Sequence, residues 1–228
     1  MTLRLAPVFR WLFTGNPGRM ALLGVVYAIS ARAWAAPAKR PQALSFHLES
    51  RFDYRDDSGA AGPSQTYSGQ VLVSGANARF ETSIGGRPVV FIVAPPYFYK
   101  ILPAAKSARR YKLADIAKSK GIAESLPSAW MRDPESLRAM LKKQGAKMQG
   151  NATLDGVAVE VWQGGQLLGQ TGIAKAWLRR TDALPVKVEV DGKQLKFAVR
   201  WSDYRTVKEP PAGAFAPPAG FRVRDAQE

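Results

Sequence analysis

The chain has a single histidine, His47, and no cysteine. A Ser-His-Asp triad, a thiol nucleophile and a multi-histidine metal site therefore lack the residues they need. Asp53, Asp56 and Asp57 are close enough in sequence to pair as general acid and base. Two of them lie in the run Arg55-Asp-Asp-Ser-Gly-Ala-Ala-Gly-Pro63, a turn-rich loop in which carboxylates face water. His47 falls in an alternating apolar/polar stretch and reads as an ordinary strand residue. No enzymatic activity, cofactor or metal is expected. The side chains that recur with a usable spacing are apolar: Leu44, Phe46 and Leu48; Val71 and Val73; Phe80 and Ile84; Val186, Val188 and Val190; and Leu195, Phe197, Val199 and Trp201. Period-2 recurrence puts each set on one face of a strand. Such a surface must be covered by a second layer, a helix or a hydrophobic ligand.

Charge bears on the partners. The formal net charge is +15 over 228 residues. Lys106, Arg109, Arg110, Lys112, Lys118 and Lys120 cluster near the middle, and Lys142, Lys143 and Lys147 follow. Near an anionic membrane each such charge contributes about 1 kcal/mol within a Debye length. The same residues also read as a solvated basic face. Nucleic acid is not expected as a partner, because the aromatics are scattered and no RNA-binding motif is present.

The elements that position these residues are mostly strands. Leu44 to Tyr54, Thr66 to Ser74, Ala78 to Ile84, Pro88 to Val93 and Tyr97 to Leu102 are short, alternating or apolar, and separated by turn residues. Ala152 to Trp162 reads as a strand or hairpin around Asp155-Gly156. Gly172 to Arg180, Val186 to Val190 and Leu195 to Trp201 form three more strands, with a hairpin expected at Asp191-Gly192. Phe221 to Arg224 is a candidate edge strand. The pattern turns helical between Leu113 and Gly145. Asp133-Pro134-Glu135 is a helix start, Leu137, Met140 and Leu141 form one stripe, and Gly145 ends it. The expectation from the residues is a mainly β (α+β) domain, a single antiparallel sheet of about ten strands interrupted by a helical insert at about 113–145, the natural cover for its apolar face; a curved half-barrel with that insert as its lid is what the family resemblance given below implies. Residues of the insert placed to cover the face are Ile116, Leu126, Trp130, Met131, Leu137, Met140 and Leu141. No repeat or second domain is evident.

Residues 1–35 read as an export signal: Arg4, Arg10 and Arg19 precede or flank an apolar run from Met20 to Ser30, and Ala33-Trp34-Ala35 has a small-x-small cleavage form. The apolar run is short for a membrane span. No arginine pair precedes it, so the general secretory route is expected. Removing residues 1–35 takes away four arginines and no acid and leaves 36–228 at +11. The expected location is the periplasm.

Several phrases together resemble the periplasmic outer-membrane lipoprotein carrier (LolA-like) superfamily. They are Phe215-Ala-Pro-Pro-Ala-Gly-Phe-Arg-Val223; Trp177 followed by Leu184-Pro-Val-Lys-Val-Glu189; Gly69 before an apolar strand and then Phe80; and Gly150 to Trp162 with Asp155-Gly-Val157. Their order and spacing carry the resemblance, over roughly Leu44 to Val223. It implies an unclosed half-barrel under a helical lid, whose cavity takes lipoprotein acyl chains or a lipid from an inner-membrane donor to an outer-membrane acceptor. The implied cavity wall comprises Phe46, Leu48, Val71, Val73, Phe80, Ile84, Trp177, Val188, Phe197 and Val199, with Ile116, Trp130, Leu137, Met140 and Leu141 in the lid. A monomer is expected. The family's interior arginine would fall near Ser74-Gly75 and has no match there; Arg79 is about four residues out of phase. Alternation alone favours packing of these residues as a dry core, the resemblance favours a cavity, and the same fold could serve as a lipid- or lipoprotein-sensing module without transfer.

Overall fold

A computed structural model of the chain describes residues 43–55, 60–115, 134–167, 170–192 and 195–226. The proposed export signal at 1–35, and Ile116, Leu126, Trp130 and Met131 of the expected lid, lie outside the described residues. The described residues build one curved, unclosed sheet of twelve strands. In chain order these are β1 (Ala43–Arg55), β2 (Ala61–Ser74), β3 (Asn77–Ile84), β4 (Arg87–Ala94), β5 (Tyr97–Leu102), β6 (Ser107–Lys112), then helix α1 (Pro134–Lys143), then β7 (Lys147–Leu154), β8 (Val157–Leu167), β9 (Gln170–Arg179), β10 (Pro185–Gly192), β11 (Leu195–Val207) and β12 (Arg222–Asp225). Across the sheet they run β12-β6-β5-β4-β3-β2-β1-β11-β10-β9-β8-β7. Every pairing is antiparallel except β12 on β6, which is parallel.

Two strands beyond the expected ten are β6 and a separate β7. Their sequences, Ser-Ala-Arg-Arg-Tyr-Lys and Lys-Met-Gln-Gly-Asn-Ala-Thr-Leu, are polar because they lie at or next to the sheet's margins. Two-residue turns join most of the meander. Gly85-Gly86 and Asp155-Gly156 hold positive φ at both turn positions, the geometry that suits twisted hairpins. The β10–β11 turn falls two residues later than expected, because Asp191 pairs with Lys196 and Gly192 with Gly172. β1 sets this register. Phe52 stacks on Phe197 at 5.9 Å, and Arg55 reaches Asp191 at 3.1 Å.

Among the described glycines, Gly69 has the tightest surroundings. A Cβ there would lie 1.9 Å from the Glu81 carbonyl oxygen and 2.9 Å from the Phe80 ring. A strand glycine at such a point lets the sheet bend sharply. Helix α1 ends in a Schellman motif: Gly145, at φ +81, donates to the Lys142 carbonyl and Ala146 to that of Leu141, both at 2.9 Å. Past that turn Ala146 presses on Gly164, where a Cβ would stand 2.6 Å from the Ala146 Cα.

The main core lies on the concave face, and Leu137, Leu141 and Ala146 of the insert join it. A second, smaller cluster of Val90, Ile92, Ile101 and Ala108 lies on the convex face under Phe215 and Phe221 of the C-terminal tail. β4 is buried on both faces, which is why its sequence is a run of apolar residues without alternation.

Candidate functional site: the concave face and its insert

The concave face is assembled from alternate residues of eight or more strands. Phe46, Leu48 and Phe52 of β1, Val71 of β2, Phe80 of β3, Phe91 of β4 and Phe98 of β5 are buried on one wall. Val188 and Val190 of β10, Phe197, Val199 and Trp201 of β11, and Ala174, Ala176 and Leu178 of β9 form the other. Phe80, Phe91 and Phe98 stack in a row with ring centroids 6.4 and 5.9 Å apart. Phe52 stands between Phe197 at 5.9 Å and Tyr67 at 6.1 Å.

The structure brings together most of the expected wall. Phe46, Leu48, Val71, Phe80, Val188, Phe197 and Val199 are all buried in this one cluster, and Val73 and Ile84 pack at its margin, partly buried. Trp177 does not share the face. It pairs across the sheet with Lys187, whereas Val188 pairs with Ala176, so strict alternation puts Trp177 on the convex side. There Lys187 Nζ lies 5.3 Å from the Trp177 ring. The sequence of β9 misleads because its inward residues include the small Ala174 and Ala176, while its largest side chain points out. Leu137 and Leu141 of the lid are buried in the same cluster; the side chain of Met140 lies outside the described residues.

Several residues of the wall were not singled out as candidates. Phe91 and Phe98 sit in strands whose runs hide the facing. Tyr67 and Ser50 break the apolar alternation by type. Tyr204 enters the core because a bulge opposite Ser45–His47, with Asp203 at φ +55, turns it inward onto Phe46 at 5.3 Å. The alternation across β1, β10 and β11 does carry the signal for Phe52 and Val190.

Polar groups mark the edges of the trough. Arg138 of α1 grips Glu160 of β8 through two hydrogen bonds, at 2.7 and 3.0 Å, and the Trp162 indole donates to the same carboxylate at 3.2 Å. The Arg138 hydrogen bond is the main reason the Glu160 carboxyl titrates below its ordinary value, against the opposing effect of burial. Burial pushes the Tyr54 phenol up to about 12, with Tyr67 nearby adding to the shift. On the convex side His47 hydrogen-bonds Ser68 at 2.8 Å. Arg79 also points to the convex side, where it pairs with Glu81 at 2.6 Å and donates to the Ala214 carbonyl at 3.1 Å. It holds the tail and does not enter the trough. A cavity of about 360 Å³ opens beside it, lined by Glu81, Pro88, Val90, Ile101 and Phe221 among others.

Lys106, Arg109, Lys112, Lys142, Lys143 and Lys147 are exposed, so the basic residues stand at both roots of the insert. Arg110 is committed elsewhere, to Asp225 at 2.7 Å and over the Tyr97 ring at 4.7 Å. Lys118 and Lys120 lie outside the described residues. Among the described residues no group of three His, Cys, Asp or Glu side chains could hold a metal, and no helix is long and apolar enough to cross a membrane.

The chain is similar to several solved structures. A LolA superfamily protein from Nitrosomonas europaea shares 12% identity at a TM-score of 0.36, over 86% of this chain and 96% of that one. The lipoprotein LppX of Mycobacterium tuberculosis shares 15% identity at a TM-score of 0.47, over 84% and 97%. An uncharacterized conserved protein from Thermus thermophilus shares 8% at 0.49, over 92% and 100%. No protein-family model and no curated protein sequence matches the chain.

Proposed function

We propose that this protein is an extracytoplasmic carrier that shelters an acyl chain of a lipoprotein or lipid between the concave face and the insert. The observation that carries the reading is helix α1, which stands in the chain between β6, next to one margin of the open sheet, and β7, the opposite edge, and is buried against the concave face. The face beneath it is an aromatic and aliphatic surface continuous over the sheet, and the described part of the insert reaches it through Leu137, Leu141 and Ala146. A cover attached by side chains over a large apolar face is what an amphipathic ligand needs to enter and leave. No nucleotide is consumed in this scheme: the ligand moves downhill, from a weaker to a tighter site.

The remaining parts of the proposal follow from charge and the leader. The exposed cations at the roots of the insert turn the mouth of the trough toward anionic headgroups. Residues 1–35 export the chain to the periplasm, where an inner-membrane donor and an outer-membrane acceptor would be its partners. Catalysis is no part of this reading.

The test is native mass spectrometry of the full chain, exported into a bacterial periplasm and purified without detergent. An acyl-lipid adduct, displaced by a fluorescent acyl probe, is the expected result. Recovery of the bare polypeptide alone, with no probe binding, would sink the carrier and leave a dry core.

A further inference from the structure

Two buried side chains near the middle of the trough floor carry polar groups that the described residues satisfy poorly or not at all. Trp201 is 4% exposed, and its indole N–H has no hydrogen-bond partner among the described residues. Ser50 is 1% exposed, and its hydroxyl reaches the Tyr67 carbonyl at 3.5 Å, the far limit of a useful bond. The β1–β11 register pairs Leu48 with Trp201 and Ser50 with Val199. Ser50 and Trp201 are therefore diagonal neighbours on one face, about 7–8 Å apart. Aromatic pairs close the trough on either side of them: Phe46 with Tyr204 at one end, Phe52 with Phe197 at the other.

A buried indole donor without an acceptor destabilises a fold, and natural cores rarely keep one. The apolar neighbours give it nothing to bind. Resting on the carrier reading, we infer that Trp201 Nε1 and Ser50 Oγ receive the carbonyl oxygen of a neutral, ester- or amide-linked acyl group. The indole N–H donates to that oxygen and the serine hydroxyl donates beside it, while the hydrocarbon lies along the aromatic walls. The choice of a neutral carbonyl over a free carboxylate comes from charge. On the concave side of β1, β2, β10 and the Phe197–Trp201 stretch of β11, the inward positions carry no charged residue. A carboxylate there would be buried without a cation, at a far greater desolvation penalty than an ester carbonyl.

The experiment titrates the full chain with three pyrene probes of equal chain length: a monoacylglycerol ester, the free fatty acid and the plain alkane. Trp201→Phe removes the donor and keeps an aromatic ring; Ser50→Ala removes the hydroxyl. Trp201→Phe is expected to weaken ester binding roughly three- to tenfold, the worth of one hydrogen bond, and to leave alkane binding unchanged. Ser50→Ala gives a smaller loss in the same direction. In ¹⁵N-labelled wild-type protein one indole N–H resonance moves downfield on adding the ester, and that resonance is missing in Trp201→Phe. The ligand-free Trp201→Phe protein melts at or above the wild-type temperature, which separates lost recognition from lost folding. Equal losses for ester and alkane, or none for either, overturn the proposal. A loss confined to the fatty acid overturns it too, in favour of a carboxylate. Wild-type protein that binds none of the three probes sinks the carrier reading itself.

Discussion

The sheet has an apolar surface on each side, and the two are covered in different ways. On the convex side Val90, Ile92, Ile101 and Ala108 lie under the tail, whose end joins the sheet as β12. That cover is tied down by backbone bonds: Arg222 donates to the Lys106 carbonyl at 2.9 Å and Ala226 to that of Arg110 at 2.8 Å. The two-pronged Arg110–Asp225 pair and the Arg79–Ala214 bond add to it. On the concave side a far larger apolar face meets an insert whose described helix forms no strand pairing with the sheet. It holds on by Leu137, Leu141, Ala146 and the Arg138–Glu160 pair. Side-chain contacts can be exchanged for a ligand's hydrocarbon at little net cost, whereas broken backbone pairings leave buried polar groups unsatisfied. The convex cover is thus suited to permanence and the concave one to replacement.

The harshest way to break this contrast is to spoil the curvature that creates two unlike faces. Gly69→Val places a branched side chain where a Cβ alone meets the Glu81 carbonyl at 1.9 Å. The expected loss is about 4 kcal/mol or more, beyond ordinary overpacking. A denaturation midpoint measured by far-ultraviolet circular dichroism checks it, and a midpoint near wild type would show that β2 and β3 can part without harm. A matched pair of core deletions sharpens the contrast. Phe91→Ala on the concave face should cost about 3–5 kcal/mol and Ile101→Ala on the convex face about 2–5 kcal/mol. Both are fully buried, so both destabilise. Only Phe91→Ala is expected to change the affinity for an acyl probe; equal effects of the two on binding would mean the trough is a plain core.

A smaller effect is expected at Arg138. In the folded protein Glu160 titrates below its ordinary value of 4.5 because Arg138 hydrogen-bonds its charged form. A carboxyl whose folded pKa is depressed contributes stability that is present above the unfolded value and is lost as pH falls through the folded one. The wild-type protein should therefore lose stability on acidification below about 4.5, and Arg138→Ala should flatten that part of the curve. At neutral pH the same variant leaves Glu160 half-buried without its cation, which destabilises by about 1–3 kcal/mol. Because this pair ties α1 to β8, acyl-probe exchange should also speed up, by stopped-flow measurement. An unchanged acid profile would mean the pair is solvated and holds nothing.

Much of this contrast was legible from residue order. Period-2 alternation identified β1, β10 and β11 and the inward set from Phe46 to Val199, because one face of these strands is wet. The N-terminal and C-terminal punctuation of α1, Asp133-Pro134 and Gly145, marked the helix to within a residue or two. Alternation failed where its premise failed. β4 is covered on both sides, so nothing in its run says that Phe91 faces in and Ile92 out. β9 hides its facing because alanines line the crowded concave side, leaving Trp177 outside. The turn after β10 could not be placed by Asp191-Gly192, since the long-range stack of Phe52 on Phe197 sets that register. The convex patch itself was invisible, because a Pro-rich tail shows no period from which its docking could be read.

The smallest expected effect tests whether the two covers are independent. Arg79 spans from its exposed partner Glu81 to the Ala214 carbonyl in the tail. The ion pair with Glu81 is half in water and contributes little. The bond to Ala214 is worth about 0.5–1.5 kcal/mol. Arg79→Ala should lower stability by no more than that and raise amide hydrogen exchange between Ala212 and Ala216. The amides of Arg222 and Ala226 should keep their protection, since their bonds to β6 do not pass through Arg79. Acyl-probe affinity should stay at the wild-type value, because Arg79 and the trough lie on opposite sides of β3. A fall in affinity would mean that the tail's grip on the convex face is felt through β3 and β4 by the row of Phe80 and Phe91. In that case the permanent cover would be setting the curvature of the replaceable one.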